Sequence, residues 1–178
     1  SGSVEPMANG GQSGFVITMR EVTRRQGVMS AQGNSGGDTP RMMIYSHDTF
    51  GLGHLRRSLN LAAALVDAVP NLSILLVTGS AVAHRFALPT GVDYVKLPSV
   101  RKVSAEHYSP RSLTMPDDEV LALRTNLLLR TARDFRPDVL LVDHSPAGMR
   151  GELEPALAWL RDQHPACQTI IGLRDIID

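Results

Sequence analysis

The residues able to do chemistry gather in two short stretches. The first is Arg41 to Leu55, RMMIYSHDTFGLGHL, which holds the acid Asp48, the glycines Gly51 and Gly53 on either side of Leu52, and the imidazole of His54. The second is Asp143 followed by HSPAGMRG, His144 to Gly151, with Gly148 at its centre. Glycines at the start of a helix let a ligand approach backbone N–H groups at the positive end of the helix dipole, which suits a phosphate, another anion or a sugar oxygen. A histidine at that end favours the neutral imidazole, which accepts a proton or donates a hydrogen bond. Asp48 either orients His54, contacts a ligand hydroxyl, or closes an Asx turn. Asp143 either meets a hydroxylated ligand or serves a turn.

Several chemistries are excluded by pattern. Arg56 stands where the third glycine of the dinucleotide fingerprint would be, and Thr78-Gly79 replaces the acid expected after the second strand. The P-loop lysine is missing. Asp143-His144-Ser145 lacks the G-x-S-x-G elbow of a serine hydrolase. The histidines lack metal-ligand spacing and Cys167 is the sole cysteine, so neither a metal nor a cofactor is expected.

These stretches need elements to hold them. Apolar runs at Met42–Ser46, Leu72–Thr78, Val92–Leu97, Val139–Asp143 and Gln168–Leu173 read as strands. Between them lie a helix over His54–Val69 with a Leu55, Leu59, Ala62, Val66, Val69 stripe, and a short helix over Ala81–Ala87 capped by Ser80. A third helix is capped by Thr114, entered through Met115-Pro116 and ends at Phe135. A fourth carries Leu153, Leu157 and Leu160. Glu152 and Glu154 read as acids complementing the dipole of the fourth helix, with Glu152 also able to face the rim, and Arg124, Arg130 and Arg133 as the solvated face of the third. His84 and His164 read as surface residues of helices. The connection Ser99–Met115 carries Arg101, Lys102, His107, Tyr108 and Arg111, and its length marks it as functional or as a surface excursion.

Alternation of continuous apolar strands with helices predicts an α/β protein: a doubly wound, mainly parallel Rossmann-like sheet with helices on both faces. Ligands of such sheets sit beyond the carboxyl ends of the strands, where both chemistry-bearing stretches fall.

Eighteen basic residues balance eighteen acidic ones, and no basic stripe interleaved with aromatics occurs, so nucleic acid is not an expected partner. No apolar run is long enough to span a bilayer. One cysteine and the absence of a secretory pattern at the start lead to the expectation of a cytoplasmic protein. Residues 1–40 are rich in Gly and Ser and are expected to be disordered or loosely packed, with the globular domain spanning 41–178.

SHDTFGLGHLRRSLNLAAAL, together with VDHSPAGMRGEL, resembles a family of predicted bacterial glycosyltransferases distantly similar to the N-acetylglucosaminyltransferase of peptidoglycan synthesis. The resemblance covers about residues 41–178 and implies one half of a GT-B fold, the N-terminal, acceptor-side domain. It implies a nucleotide-sugar donor held by a C-terminal domain, an acceptor of unknown identity, and His54 or Asp48 as base or hydroxyl-orienting group. Gly51, Leu52 and Gly53 match the loop that approaches the donor diphosphate and acceptor, and Asp143, His144 and Gly148 match a second, acceptor-side loop. Phe50 and Leu52 stand where relatives acting on lipid-linked acceptors carry glycines. With no second Rossmann-like half after Asp178, the chain alone is expected to be inactive, an uncovered docking face is expected to allow self-association, and peripheral membrane association is a further expectation of partner. Two alternatives stand beside this: a non-catalytic Rossmann-like module that binds a ligand or partner through the same rim, and a fragment of a GT-B-like nucleotide-sugar epimerase.

Overall fold

The computed structural model describes residues 39–47, 52–104 and 107–172, all within the compact unit Thr39–Leu173. The expected loose segment 1–40 lies outside them except for its last two residues. Asp48 and Gly51 lie outside them as well.

Strand β1 (Arg41–Ser46) is buried along its length after Arg41, because it is central and covered on both faces. It pairs in parallel with β2 (Ser73–Thr78) on one side and β6 (Val139–Asp143) on the other. Beyond them, β3 (Val92–Lys96) pairs with β2 and β7 (Gln168–Gly172) with β6, both in parallel. The sheet order is therefore β3-β2-β1-β6-β7, an α/β Rossmann-like arrangement. From β1 the chain winds outward through β2 to β3, then returns to β6 and winds the opposite way to β7. The switch point of the topology falls between β1 and β6.

Helix α1 (Gly53–Ala68) links β1 to β2. Its buried stripe is Leu55, Ser58, Leu59, Ala62 and Leu65, whereas Val66 and Val69 are only half-buried. The expected stripe is thus correct over about two turns, Leu55 to Ala62, and drifts at the end, where Leu65 lies on the buried side. Helix α2 (Asp117–Phe135) and helix α3 (Glu154–Gln163) pack together over the other strand residues. Leu128 and Ala132 of α2 meet Leu153, Ala156 and Leu160 above Met43, Tyr45, Leu140 and Val142, which alternate along their strands as one face requires. Right-handed crossovers running in opposite directions along the sheet put α1 on the face away from α2 and α3.

Three local expectations are corrected. The short helix over Ala81–Ala87 is a single 3-10 turn, Ala83–Arg85, with Phe86 already extended; seven residues are too few to offset helix nucleation. Ser80 does not cap it: Val82 stands at the cap without a side-chain cap bond, and Ser80 Oγ accepts from the Val82 N–H at 3.4 Å in the turn before it. Helix α2 starts at Asp117 with Pro116, not Thr114, at its cap and no side-chain cap bond, because a residue before proline is pushed out of the helical region and Met115 cannot join. Asp117, Asp118 and Glu119 do occupy its first turn. The connection before α2 is not featureless: β4 (Val100–Lys102) and β5 (Tyr108–Pro110) form an antiparallel hairpin. Val100 and Tyr108 seat it on Val120, Leu121 and Met149. Ser99 Oγ ties its base to the Gly79 carbonyl at 2.8 Å and receives the Lys96 ammonium at 2.9 Å.

The largest correction concerns Arg124 and Glu152. Neither is on a solvated face: they are 3% and 1% exposed. Arg124 donates from Nε and Nη2 to the two Glu152 carboxylate oxygens, each at 2.6 Å, and from Nη1 to the Pro98 carbonyl at 2.5 Å. Tyr45 Oη donates to Glu152 Oε1 at 2.7 Å and accepts from the Met149 N–H at 3.2 Å. Arg124 follows Val120 and precedes Leu128 at helical spacing, so it lies within the buried stripe of α2, where only a bonded charge is tolerated. Arg130 does sit on the solvated face, in an exposed pair with Asp134. His84 is exposed as expected, while His164 is half-buried after α3, its Nε2 3.2 Å from the Pro137 carbonyl.

Candidate functional site

The carboxyl ends of β1 and β6 bring the two chemistry-bearing stretches together. His54, the second residue of α1, places Nδ1 2.6 Å from Asp143 Oδ2 at the end of β6. Arg57, one turn further along α1, bonds the other oxygen, Asp143 Oδ1, through its guanidinium. Asp143 is 4% exposed, so its charge would be costly without these partners. Burial pushes its carboxyl pKa up, but the hydrogen bond and charge of His54, then those of Arg57, outweigh burial and hold it below the ordinary value. An ionised Asp143 accepts from the Nδ1–H of His54, which leaves Nε2 as the ring nitrogen free for a ligand.

His47 and His144 complete an imidazole cluster. Ring centroids are 6.1 Å apart for His47 and His54, 6.1 Å for His47 and His144, and 5.7 Å for His54 and His144. Burial first, then repulsion from the neighbouring imidazoles, lowers the His47 pKa to about 4, so it is neutral at pH 7. Its Nδ1, and Oγ of the adjacent Ser46, are buried without a hydrogen-bond partner. Among the described residues no group of three or more His, Cys, Asp or Glu is placed to hold a metal ion.

A cavity of about 540 Å³ opens beside the cluster. His47 and His54 form one wall, Lys102 and Tyr108 of the hairpin another, and His144, Ser145 and the Gly148–Arg150 segment a third. The Lys102 ammonium lies 6.0 Å from the Tyr108 ring centroid. The third wall is backbone under constraint: His144, Gly148, Arg150 and Gly151 all have positive φ, at 71°, 73°, 48° and 79°. Gly148 is required there, since a Cβ would lie 3.1 Å from Leu153 Cβ, 3.1 Å from Tyr45 Oη and 3.2 Å from Glu152 Cγ. Ser145 stitches the turn, donating from Oγ to the Gly148 carbonyl at 2.9 Å.

Of the residues singled out in the sequence, His54, His144 and Gly148 line the cavity and Asp143 backs it. Leu52 precedes α1 and its carbonyl accepts from the Arg56 N–H at 2.9 Å. Gly53 is exposed, and a Cβ on it would meet nothing within 4 Å, so packing does not demand glycine there. Asp48 and Gly51 lie outside the described residues. The orienting contact to His54 comes from Asp143, 89 positions away in sequence. Sequence reasoning passed over His47, Arg57 and Arg150. Arg57 carried a usable signal, for at i+3 from His54 it shares that residue's helix face.

No protein-family model matches the chain, and no curated protein matches it. Fold and site define an α/β Rossmann-like protein with a histidine-lined, cation-bearing cavity at its topological switch point.

Proposed function

We propose that this chain is the acceptor-side domain of a glycosyltransferase, with His54 as general base and Asp143 as the group that orients it. The observation that carries the reading is the His54–Asp143 contact at the cavity wall, where Nδ1 is committed to the carboxylate and Nε2 is the ring nitrogen left for a substrate. An acceptor hydroxyl would give its proton to Nε2 as its oxygen attacks the anomeric carbon of a nucleotide sugar. The bond from that carbon to the diphosphate breaks, the nucleoside diphosphate leaves with the electron pair, and the configuration inverts. Asp143 stabilises the imidazolium that forms. Arg57 holds the second carboxylate oxygen and so fixes the plane from which Oδ2 faces His54. The donor belongs, in this reading, to a second Rossmann-like domain across the cleft. The sequence resemblance and the switch-point location support it.

The test is transfer from a panel of nucleotide sugars by a polypeptide carrying this domain, with a donor domain supplied in cis or in trans. Nucleoside diphosphate release is measured for the parent, His54→Ala and Asp143→Asn. A positioned base contributes about 10²–10⁴-fold, so both variants should lose at least about 10²-fold in kcat. Undiminished turnover in His54→Ala removes it from the mechanism. An absence of transfer with every donor removes the glycosyltransferase reading.

A further inference from the structure

The cavity also carries information about what occupies it. Its described lining residues include two permanent cations, Lys102 and Arg150, and no carboxylate. Asp143 stands behind the wall, but each of its oxygens is already bonded to His54 or Arg57, so its charge is compensated. The two cations arrive from separate elements, Lys102 from β4 and Arg150 from the loop after β6. Neither of them appears among the ion pairs of the described residues. Arg150 holds φ 48°, a left-handed conformation that costs a non-glycine residue energy, in a wall that faces the cavity.

The rest of the lining does not suit a bare ion. Tyr108 brings an aromatic ring and Met149 an apolar side chain, while the imidazoles offer hydrogen bonds to hydroxyls. About 540 Å³ falls in the range of small-molecule sites and far exceeds what an inorganic anion fills.

We propose that this cavity takes an anionic sugar: a hydroxylated ring set against Tyr108, whose phosphate or carboxylate is gripped by Lys102 and Arg150. The identification of this ligand as the acceptor rests on the glycosyltransferase reading; its binding does not. A hydroxyl of the bound ring then lies in the same cavity as His54.

Binding is measured on the full 178-residue chain by NMR titration at pH 7 and low salt, with glucose 6-phosphate, glucuronate, glucose and inorganic phosphate as probes. One or both anionic sugars should bind at least about 10-fold tighter than either glucose or phosphate, because only they combine charge-assisted hydrogen bonds with contacts to the ring. Which of the two binds tells whether phosphate or carboxylate is the recognised group. Arg150→Gly and Lys102→Gln should each weaken that binding by about 10-fold or more. Glycine adopts the Arg150 backbone without strain, so Arg150→Gly keeps the fold while removing the charge. Glucose binding as tightly as the anionic sugars would overturn the proposal. Inorganic phosphate matching them would reduce the site to a plain anion site. Binding untouched by both substitutions would place it elsewhere. His54-dependent transfer to neutral acceptors with no anionic-sugar binding would sink this inference and leave the function standing. Anionic-sugar binding without transfer from any donor would do the reverse.

Discussion

Replacing Arg124 tests how the rim is held from below. Arg124→Met keeps the length and apolar stem of the side chain and removes its five donors. The Arg124 and Glu152 side chains are 4% and 0% exposed, so water does not replace what is lost. Glu152 would keep one partner, Tyr45 Oη at 2.7 Å, and lose two bonds of 2.6 Å each. Breaking a buried pair from one side costs about 3–5 kcal/mol, because a charge is left uncompensated. The Pro98 carbonyl, bonded by Arg124 at 2.5 Å, adds about 1–3 kcal/mol if it too is left bare. These terms overlap, and about 4 kcal/mol is a reasonable net, a large part of the roughly 5–15 kcal/mol that a domain has in total.

Urea denaturation followed by circular dichroism measures the change. With an m-value of about 2 kcal/mol/M, the midpoint should fall by about 2 M. The same experiment on Arg124→Met/Glu152→Leu separates the pair from the packing. With no charge orphaned, the double variant should recover part of the loss, keeping the cost of the bare Pro98 carbonyl and about 1 kcal/mol for the acceptor that Tyr45 loses. A loss below about 1 kcal/mol in the single variant refutes the reasoning. So does a double variant no more stable than the single one.

Two further outcomes follow from the same rim. Gly148→Ala combines a left-handed backbone at φ 73° with contacts at 3.1–3.2 Å, so it should destabilise by about 2–4 kcal/mol in the same urea assay, whereas Gly53→Ala should change stability by less than about 0.5 kcal/mol. His47 has a folded pKa of about 4 against 6.5 when free, so between those values the unfolded chain binds more protons. Stability should therefore fall as pH drops from 6.5 towards 4. Urea midpoints of His47→Phe across that window should show a flatter profile, and a slope equal to the parent's would contradict the assignment.

The sheet was legible because a parallel sheet buries both faces of its strands, and LSILLVT and VLLVD declare that directly. Helix boundaries set by proline were legible in kind but not in position: Pro116 marked the start of α2, yet the restriction it places on Met115 moved the start past Thr114. His54 could be picked out because a glycine-flanked histidine at a strand-to-helix turn is a local pattern. Its partner could not, because which acid reaches it depends on β6 lying beside β1, a consequence of the crossover rather than of nearby residues. Arg124 and Glu152 show the opposite limit. Each alone reads as a surface charge, and only their meeting across 28 positions makes burial tolerable.

That buried pair explains why the cavity wall holds its shape. Non-glycine residues at positive φ occur at Asn71, Arg136, His144 and Arg150. Asn71 sits in the turn before β2, and Arg136 closes α2 ahead of Pro137, ordinary uses of the left-handed region. His144 and Arg150 have no such role in ending a long helix, and both line the cavity. Each costs about 1–2 kcal/mol and persists only where surrounding contacts fix the chain. Those contacts run downward: the Met149 N–H donates to Tyr45 Oη, Tyr45 donates to Glu152, and Glu152 is held by Arg124. The core network thus ties the segment bearing Arg150 to β1, the strand that leads to His47. A loosened network should therefore disturb ligand binding before it unfolds the sheet, because the strained segment has the least to lose by relaxing.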